Sequence, residues 1–165
     1  MKKLVNKQPN SRYCFICGLE NDMGLKAKFF ETEDDELVCI FNAPELHQSY
    51  PGRMHGGVSA AILDETIGRA IQIGDPDIFG VTAELNVSYK KPVPYDVELK
   101  CVGRITKQNR LLFEGTGEIY TPDGEIAATA WGKYVKMGVD KISEEFGEDD
   151  WKVYLDMDDP ESVEI

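Results

Sequence analysis

The sequence predicts an α+β fold in which an antiparallel sheet encloses one long buried helix. The first observation is an apolar helix pattern from Gly57 to Ile73, which Gly74-Asp75-Pro76 ends. The second is that four longer segments follow in which apolar and polar residues alternate with a period of two. Apolar residues on nearly every side of a helix indicate that other elements cover it. One such helix followed by consecutive antiparallel strands is typical of the α+β class.

Two strands are predicted before the helix and four after it. Alternation is clearest from Val81 to Tyr89, and the turn from Thr121 to Gly124 has the composition of a tight hairpin. The segment 44–52 is expected to be a loop, and its Pro51-Gly52 pair turns the chain toward the helix. The predicted strands are residues 25–31, 36–41, 81–89, 95–106, 110–120 and 125–137.

Two shorter segments flank the predicted domain of residues 25–137. Residues 1–24 form a lead-in that carries a C-x-x-C pair and is expected to be loose up to residue 11. Residues 138–165 form an acidic tail, with a short helix expected over residues 142–155 and a disordered end. At 165 residues, 42% of them apolar, the chain is long enough for one globular domain with a sizeable core.

The net charge of −12 is concentrated in the tail. Residues 138–165 hold eleven acids and two bases, a net charge of −9, which leaves −3 for residues 1–137. A nucleic-acid partner is not expected, because phosphate binding needs a basic face. No apolar run is long enough to span a membrane, and no apolar segment follows the basic start, so a soluble cytoplasmic protein is expected.

The most informative motif lies at the start of the predicted helix. His55-Gly56-Gly57 directly precedes it, and glycines at a helix start leave backbone N–H groups uncovered at its positive end. Such groups suit an oxygen atom that develops negative charge, as on a thioester under attack. Asp64 follows His55 by nine residues, about two and a half helical turns. One helix can therefore carry an oxyanion site at its start and a carboxylate further along.

The sequence resembles the hotdog-fold acyl-CoA thioesterases, in the phenylacetate-type branch that carries an HGG motif before its central helix. The resemblance covers roughly Cys14 to Lys136. It rests on the HGG motif with an acid nine residues after the His, on a strand that ends in Lys90-Lys91-Pro92-Val93, and on Gly103-Arg104 in the next strand. It implies a sheet that curls around the central helix, and hydrolysis of acyl-CoA to a free acid and CoA.

The resemblance also implies roles for the catalytic residues. Asp64 would act as general base toward water or as nucleophile, with Glu65 as the adjacent alternative. The N–H group of Gly56 would polarise the thioester carbonyl, and His55 would either brace the loop or help to orient the substrate. Related enzymes have their site between two subunits, so a homodimer or homotetramer is expected. No metal or cofactor is expected, apart from coenzyme A as part of the substrate.

Other residues are candidates for substrate binding. Lys90, Lys91 and Arg104 would meet the phosphates of coenzyme A. Ser49 lies six residues before the HGG histidine, where some members of the family have Gln or Asn, and Gln48 is next to it. The full set of substrate-binding candidates is Gly57, Glu65, Ser49, Gln48, Lys90, Lys91 and Arg104.

The sequence departs from the family pattern at the position that orients water. Some hotdog thioesterases have a Thr or Ser four residues after the acid, and here that residue is Gly68. Thr66 is two residues after Asp64 and would point elsewhere on a helix. The water-orienting partner of Asp64 is therefore not identified by the sequence.

The sequence leaves three alternatives to thioester hydrolysis. A dehydratase on the same fold would need His before the Pro-Gly turn, where Ser49 and Tyr50 stand. A non-catalytic acyl-CoA-binding module would use the same pocket without turnover. A structural or interaction protein would act through the acidic tail. Cys14 and Cys17 offer two zinc ligands where a structural site needs four, so ordinary reduced thiols are expected.

Overall fold

The sheet and its central helix are built from segments spread over the whole chain. The computed structural model describes residues 1–147 and 150–165. The helices are α1 (Gly56–Arg69) and α2 (Val139–Ile142), with short 3₁₀ helices at Glu45–His47 and Ala70–Ile73. The strands are β1 (Lys2–Lys7), β2 (Lys28–Thr32), β3 (Leu37–Asn42), β4 (Gln48–Tyr50), β5 (Arg53–Met54), β6 (Ile78–Tyr89), β7 (Glu98–Gln108), β8 (Leu112–Tyr120), β9 (Ile126–Gly138) and β10 (Ser162–Val163).

Eight of these strands form one antiparallel sheet in the order β10-β1-β2-β3-β7-β8-β9-β6. Helix α1 packs on one face of the sheet, where Ile62, Leu63 and Ile67 are fully buried. They join Phe29 and Phe113 from the strands in one core. The predicted α+β class, with one long helix against an antiparallel sheet, is confirmed.

Glycines in the central strands let α1 lie directly on the backbone of the sheet. A Cβ atom on Gly103 of β7 would lie 2.7 Å from the Thr66 carbonyl oxygen, and one on Gly115 of β8 would lie 2.6 Å from Ile67 Cγ2. Both distances are shorter than real carbon contacts, so a side chain at either position would push the helix away. The close approach of α1 explains why residue 103 is a glycine, which the sequence alone did not explain.

The predicted strands of the central sheet are confirmed, but both ends of the chain differ from the prediction. Residues 2–7 were expected to be loose, whereas they form β1, which pairs with β2. The disordered end is also wrong, because β10 pairs with β1 through Lys2 and Val163. Helix α2 ends at Ile142, and the described residues 143–147 and 151–155 of the expected tail helix are not helical. Residues 148 and 149 of that expected helix lie outside the described residues.

Ion pairs explain why the acidic tail folds back on the body. Asp159 accepts from Lys7 at 2.6 Å, in a pair whose side chains are nearly buried, and it also contacts Lys28 at 3.2 Å. Asp156 accepts from Lys28 at 3.1 Å. The tail therefore supplies negative charge to lysines of β1 and β2. Across residues 1–147 and 150–165, no helix has the length and apolar composition that crossing a membrane requires.

The segment 44–52, expected to be a loop, is partly regular. It forms the 3₁₀ turn Glu45–His47 and the strand β4, which pairs with β5 just before α1. The backbone N–H of His55 donates to the His47 carbonyl at 2.8 Å. This hairpin fixes the direction in which the chain enters the central helix.

Candidate active site

Three of the backbone N–H groups at the start of α1 already have acceptors within the chain. His55 is the N-cap residue, and its Nδ1 atom accepts from the Gly57 N–H at 2.9 Å. The N–H groups of Val58 and Ser59 donate to the His55 carbonyl. Among the hydrogen bonds of the described residues, the Gly56 N–H has no acceptor. The sequence analysis left bracing and substrate orientation open for His55, and the capping contact shows that it braces the helix start.

A cavity of about 350 Å³ opens beside this N–H group. The predicted residues Ser49, Gly56, Lys90 and Lys91 all line it, together with Arg53, which the sequence analysis missed. Lys91 is ion-paired with Glu125. Arg53 and Lys90 line the same opening, and neither has an ion-pair partner among the described residues.

Tyr89 also lines this cavity. Its hydroxyl group donates to the Gly56 carbonyl at 2.7 Å, and its ring lies 3.3 Å from the position of a Cβ atom on Gly56. The residue is the last one of β6. The end of this strand is thereby attached to the start of α1.

The carboxylate of Asp64 is held by two hydroxyl groups. Thr82 Oγ1 donates to Asp64 Oδ1 at 2.9 Å, and Tyr134 Oη donates to the same oxygen at 3.1 Å. Thr82 and Tyr134 are directly opposite each other in the pairing of β6 with β9. Asp64 Oδ2 has no hydrogen-bond donor within the part of the chain that the structure describes. One carboxylate oxygen is thus fixed, and the other is free to act on a ligand.

The surroundings of Asp64 favour a proton-accepting role. Burial raises the pKa of Asp64, the hydrogen bonds from Thr82 and Tyr134 lower it, and the charge of Glu65 raises it, so that the net pKa is above the ordinary value. Burial and the neighbouring carboxylate raise the pKa of Tyr134, which therefore stays protonated as a donor. A carboxylate whose pKa moves toward neutrality is a better base at physiological pH.

Packing around residue 68 explains why this position holds Gly68 and not the Thr or Ser of some hotdog thioesterases. A Cβ atom at this position would lie 3.1 Å from Tyr134 Cε1, because the buried Tyr134 ring fills the space beside the helix. That ring stacks on Phe113 with a centroid distance of 4.9 Å. A Thr at position 68 would crowd Tyr134, whose ring would have to shift by a few tenths of an ångström. Hydroxyl groups from the sheet, rather than from the helix, contact Asp64 in this protein.

The Asp64 cavity is separate from the one at Gly56. It has a volume of about 340 Å³ and is lined by Asp64, Glu65, Cys14 and Thr82, among others. Asp64 lies eight positions after Gly56 in α1, which is about 12 Å along the helix. A single chain therefore does not bring the two groups to the same carbonyl carbon.

Of the other predicted site residues, Glu65 and Arg104 are engaged by other side chains and Gln48 lies outside the Gly56 cavity. Glu65 lines the Asp64 cavity but accepts from Arg69 at 2.9 Å. Gln48 is exposed on β4 and does not line the Gly56 cavity. Arg104 donates to Glu36 at 2.7 Å and to Glu118 at 2.9 Å. The guanidinium group of Arg104 is therefore already paired with two acids, on the face of the sheet opposite α1.

Four residues that contact Asp64 or line the Gly56 cavity were not identified from the sequence. Thr82 and Tyr134 reach Asp64 through strand register, and Tyr89 and Arg53 reach the Gly56 cavity through the ends of β6 and β5. The strand Val81 to Tyr89 was recognised, but nothing in its alternation marks Thr82 as a partner of Asp64. A larger cavity of about 550 Å³ lies between the C-terminal residues and the sheet and is lined by none of the predicted catalytic residues.

Comparison with known proteins identifies the fold and the class of its relatives. Residues 51–128 match the family model described as the thioesterase superfamily. That segment contains Gly56, Asp64, Thr82 and Tyr89, whereas Tyr134 and the Cys14–Cys17 pair lie outside it. The crystal structure of a thioesterase superfamily protein is similar with a TM-score of 0.69 and 28% identity, over 75% of this chain and 60% of that one. The fold is therefore the hotdog fold, as the resemblance implied.

Curated relatives carry the same class of name. Acyl-coenzyme A thioesterase THEM4 of Bos taurus is 27% identical over 86% of this chain and 59% of its own length. The Rattus norvegicus protein of that name is 31% identical over 77% of this chain and 55% of its own length. The chain thus spans less than two thirds of these relatives. A Bacillus halodurans protein solved with CoA has a TM-score of 0.56 and 29% identity, over 61% of this chain and 66% of that one.

Proposed function

We propose that this protein hydrolyses acyl-CoA thioesters to a carboxylic acid and CoA, as a member of the HGG-motif branch of the hotdog thioesterases. The names of the bovine and rat relatives support the reaction class, and the Bacillus halodurans structure with CoA supports the ligand. The motif His55-Gly56-Gly57 at the start of α1 supports the branch.

The observation that carries the proposal is the way in which Asp64 is held. Thr82 and Tyr134 both donate to Oδ1, which fixes the carboxylate, and Asp64 also lines a cavity. A structural acid in a buried position would be expected to use both oxygens in an ion pair or hydrogen bonds. A carboxylate with one fixed and one free oxygen is suited to chemistry on a ligand.

The reaction then needs two groups of opposite character. The N–H group of Gly56 donates to the thioester oxygen as negative charge develops on it, helped by the positive end of α1. Asp64 Oδ2 either takes a proton from water or attacks the carbonyl carbon to form an anhydride. In the first route the deprotonated water adds to the carbonyl carbon, and in the second a water molecule afterwards hydrolyses the anhydride and restores Asp64. In both routes the C–S bond breaks and the CoA thiolate takes up the proton that the water loses.

The two groups meet when two chains pair through β6. This strand is twelve residues long, and its second edge has no partner strand among the described residues. An antiparallel pairing centred on Asn86 sets Leu85 opposite Val87 of the second copy, with both side chains on the core side. Because Ala83 is bulged between Thr82 and Glu84, Thr82 then lies opposite Tyr89 of the second copy. Asp64 thereby approaches Gly56 of the other chain.

The phosphates of coenzyme A fit the basic mouth of the Gly56 cavity. Arg53, Lys90 and Lys91 line this opening, and the positive end of α1 adds to their field. The body of the chain is otherwise nearly neutral, so this grouping is local. Arg104 already pairs with two acids, so we assign the phosphate-binding role expected for Arg104 to Arg53 instead.

The test is release of free thiol from a panel of short, long and aromatic acyl-CoAs by wild type and Asp64→Asn. We expect turnover by wild type and its near-complete loss in the variant, which keeps the hydrogen-bond acceptor for Thr82 and Tyr134. Calorimetric binding of a non-hydrolysable acyl-CoA analogue should persist in both proteins. Binding without turnover in wild type would refute hydrolysis and identify a binding module.

A mixing experiment tests the composite site separately. Asp64→Asn and Gly56→Pro chains, each inactive alone, are co-expressed with different affinity tags. In a heterodimer one site carries both substitutions and the other carries none, so the mixture should regain about a quarter of wild-type turnover. No recovery in isolated heterodimers would show that the two groups do not act across an interface.

A further inference from the structure

The C-x-x-C pair lies against α1 in a cluster that the proposed hydrolysis does not use. The sulfur atoms of Cys14 and Cys17 and a carboxylate oxygen of Glu65 all lie within 4.8 Å of one another. Cys14 Sγ is 3.8 Å from each of the two carboxylate oxygens of Glu65. The helix thus supplies a third potential ligand to the two that the sequence offers, which is why spacing alone did not reveal it.

The distances suit a tetrahedral metal ion. Zinc binds thiolate sulfur at about 2.3 Å and carboxylate oxygen at about 2.0 Å, so two such ligands of one ion are about 3.5 Å apart. The Cys14–Glu65 separation of 3.8 Å is within a few tenths of an ångström of that value. A small side-chain rotation would bring all three ligands to one ion.

Backbone donors present both sulfur atoms as acceptors. The Ile16 N–H donates to Cys14 Sγ at 3.3 Å, and the Ser11 N–H donates to Cys17 Sγ at the same distance. Such donors stabilise thiolates. If both thiols ionise, they and the carboxylate carry three negative charges in a small space, which favours a bound cation.

Arg69 is placed as an outer partner of this set. It donates to Glu65 Oε1 and to Cys17 Sγ, each at 2.9 Å, and it is almost fully buried. The Pro9 carbonyl and the ring of Phe29 hold the guanidinium in place. An arginine that fixes two ligands at once is the arrangement in which second-shell groups orient metal ligands. Three anionic ligands, a divalent ion and Arg69 also sum to zero net charge.

We propose that Cys14, Cys17 and Glu65 bind one divalent metal ion of the zinc class, with a fourth position open toward the cavity that Asp64 lines. Binding displaces to solvent whichever protons the thiols carry, and it involves no oxidation. The ion fastens the lead-in segment to α1 and fixes Glu65 beside Asp64. The site is independent of the proposed hydrolysis, because none of its three ligands is required for attack on a thioester.

The experiment uses tag-free full-length protein, purified under reductant and incubated with zinc sulfate before gel filtration. Mass spectrometry of the metal content should give about one zinc per chain. Titration with Co²⁺ should produce a sulfur-to-cobalt charge-transfer band in the near ultraviolet. Both signals should vanish in Cys14→Ser and Cys17→Ser and persist in Cys39→Ser, since Cys39 is buried outside the cluster.

A second variant keeps the test valid if the cysteine variants fail to fold. Glu65→Gln retains both thiols and a donor-acceptor pair for Arg69, and it should lower zinc affinity by at least about 10-fold. Folded, fully reduced wild type without zinc or the cobalt band would overturn the proposal. An unchanged cobalt band in Cys14→Ser or Cys17→Ser would overturn it as well. Metal content is read without substrate, so its outcome is distinct from that of the thioesterase assay.

Discussion

Replacing Gly56 with proline removes the one backbone donor that we assign to the thioester oxygen. Gly56 is the first residue of α1, the position at which proline fits a helix best, because its missing N–H group has no helical acceptor there. The preceding residue, His55, has φ −63° and ψ 135°, an extended conformation that a following proline permits. The substitution should therefore delete the donor and leave the helix in place.

Gly56→Ala is the matched control. Both substitutions add a Cβ atom that lies 3.3 Å from the Tyr89 ring, so the cost of this contact is common to them. Only proline removes the N–H group. The ratio of the two turnover numbers therefore isolates the donor.

The expected ratio follows from the role of the donor. Loss of one oxyanion donor typically lowers kcat by about 10²- to 10³-fold, or about 2.7–4 kcal/mol of transition-state stabilisation. Because the interaction strengthens in the transition state, kcat and kcat/KM should fall together while KM stays close to that of Gly56→Ala. The assay is thiol release at saturating acyl-CoA, with circular dichroism and Tm as checks of folding.

One result would refute this reasoning. If folded Gly56→Pro and Gly56→Ala differ by less than about threefold in kcat, the donor contributes under 1 kcal/mol and the oxyanion is stabilised elsewhere. The Gly57 N–H could not take over without breaking its bond to His55 Nδ1.

Three further predictions concern Asp64 and its neighbours. Tyr134→Phe removes a hydrogen bond that lowers the pKa of Asp64, so the acidic limb of the kcat/KM profile should move up by about one pH unit, whereas Tyr120→Phe should not move it. Asp64→Asn should raise Tm at neutral pH, because burial raises the pKa of Asp64 and its charge opposes folding above that pKa; the gain should shrink as the pH falls and the carboxylate is protonated. Gly68→Thr should lower the free energy of unfolding in urea by about 1–3 kcal/mol because it crowds Tyr134, whereas Gly74→Thr, in open space, should not.

Each of these has a clear contrary outcome. Identical pH profiles for wild type and Tyr134→Phe would mean that this hydroxyl does not set the protonation of the essential base. A lower Tm for Asp64→Asn at every pH would make Asp64 a stabilising acid. A Gly68→Thr protein as stable as wild type would mean that Tyr134 can move aside.

The sequence predicted the elements whose patterns are local. The buried helix and the strands from β2 to β9 that form the central sheet have periodic patterns that can be read without knowledge of tertiary contacts. Strand β1 was missed because Lys2 to Lys7 shows no apolar alternation, and its place depends on pairing with residues more than twenty positions away and on tail acids such as Asp159. Whether a short polar segment of this kind forms a strand depends on its pairing partners more than on its intrinsic β propensity.

The candidate site likewise contains residues that the sequence identified and residues that only the tertiary structure revealed. Gly56 and Asp64 were identified because the motif and the acid share one helix at a fixed spacing. Thr82 and Tyr134 were not, since they become neighbours only through the register of β6 on β9, including the bulge at Ala83. The absent residue at position 68 was noted, but its cause, the Tyr134 ring, could be found only in three dimensions.

The two borders of the sheet are unequal, and this limits how copies can join. One border is the two-residue strand β10 laid on the lysine-rich β1, and the other is the twelve-residue β6. A short, charged border is a poor template for another chain. Pairing through β6 uses the same border on both copies, so the first pairing occupies, on each copy, the one long border that the described residues form. Assembly by this route would stop at two chains instead of continuing into a ribbon, and β10 would lie at each outer border of the joined sheet.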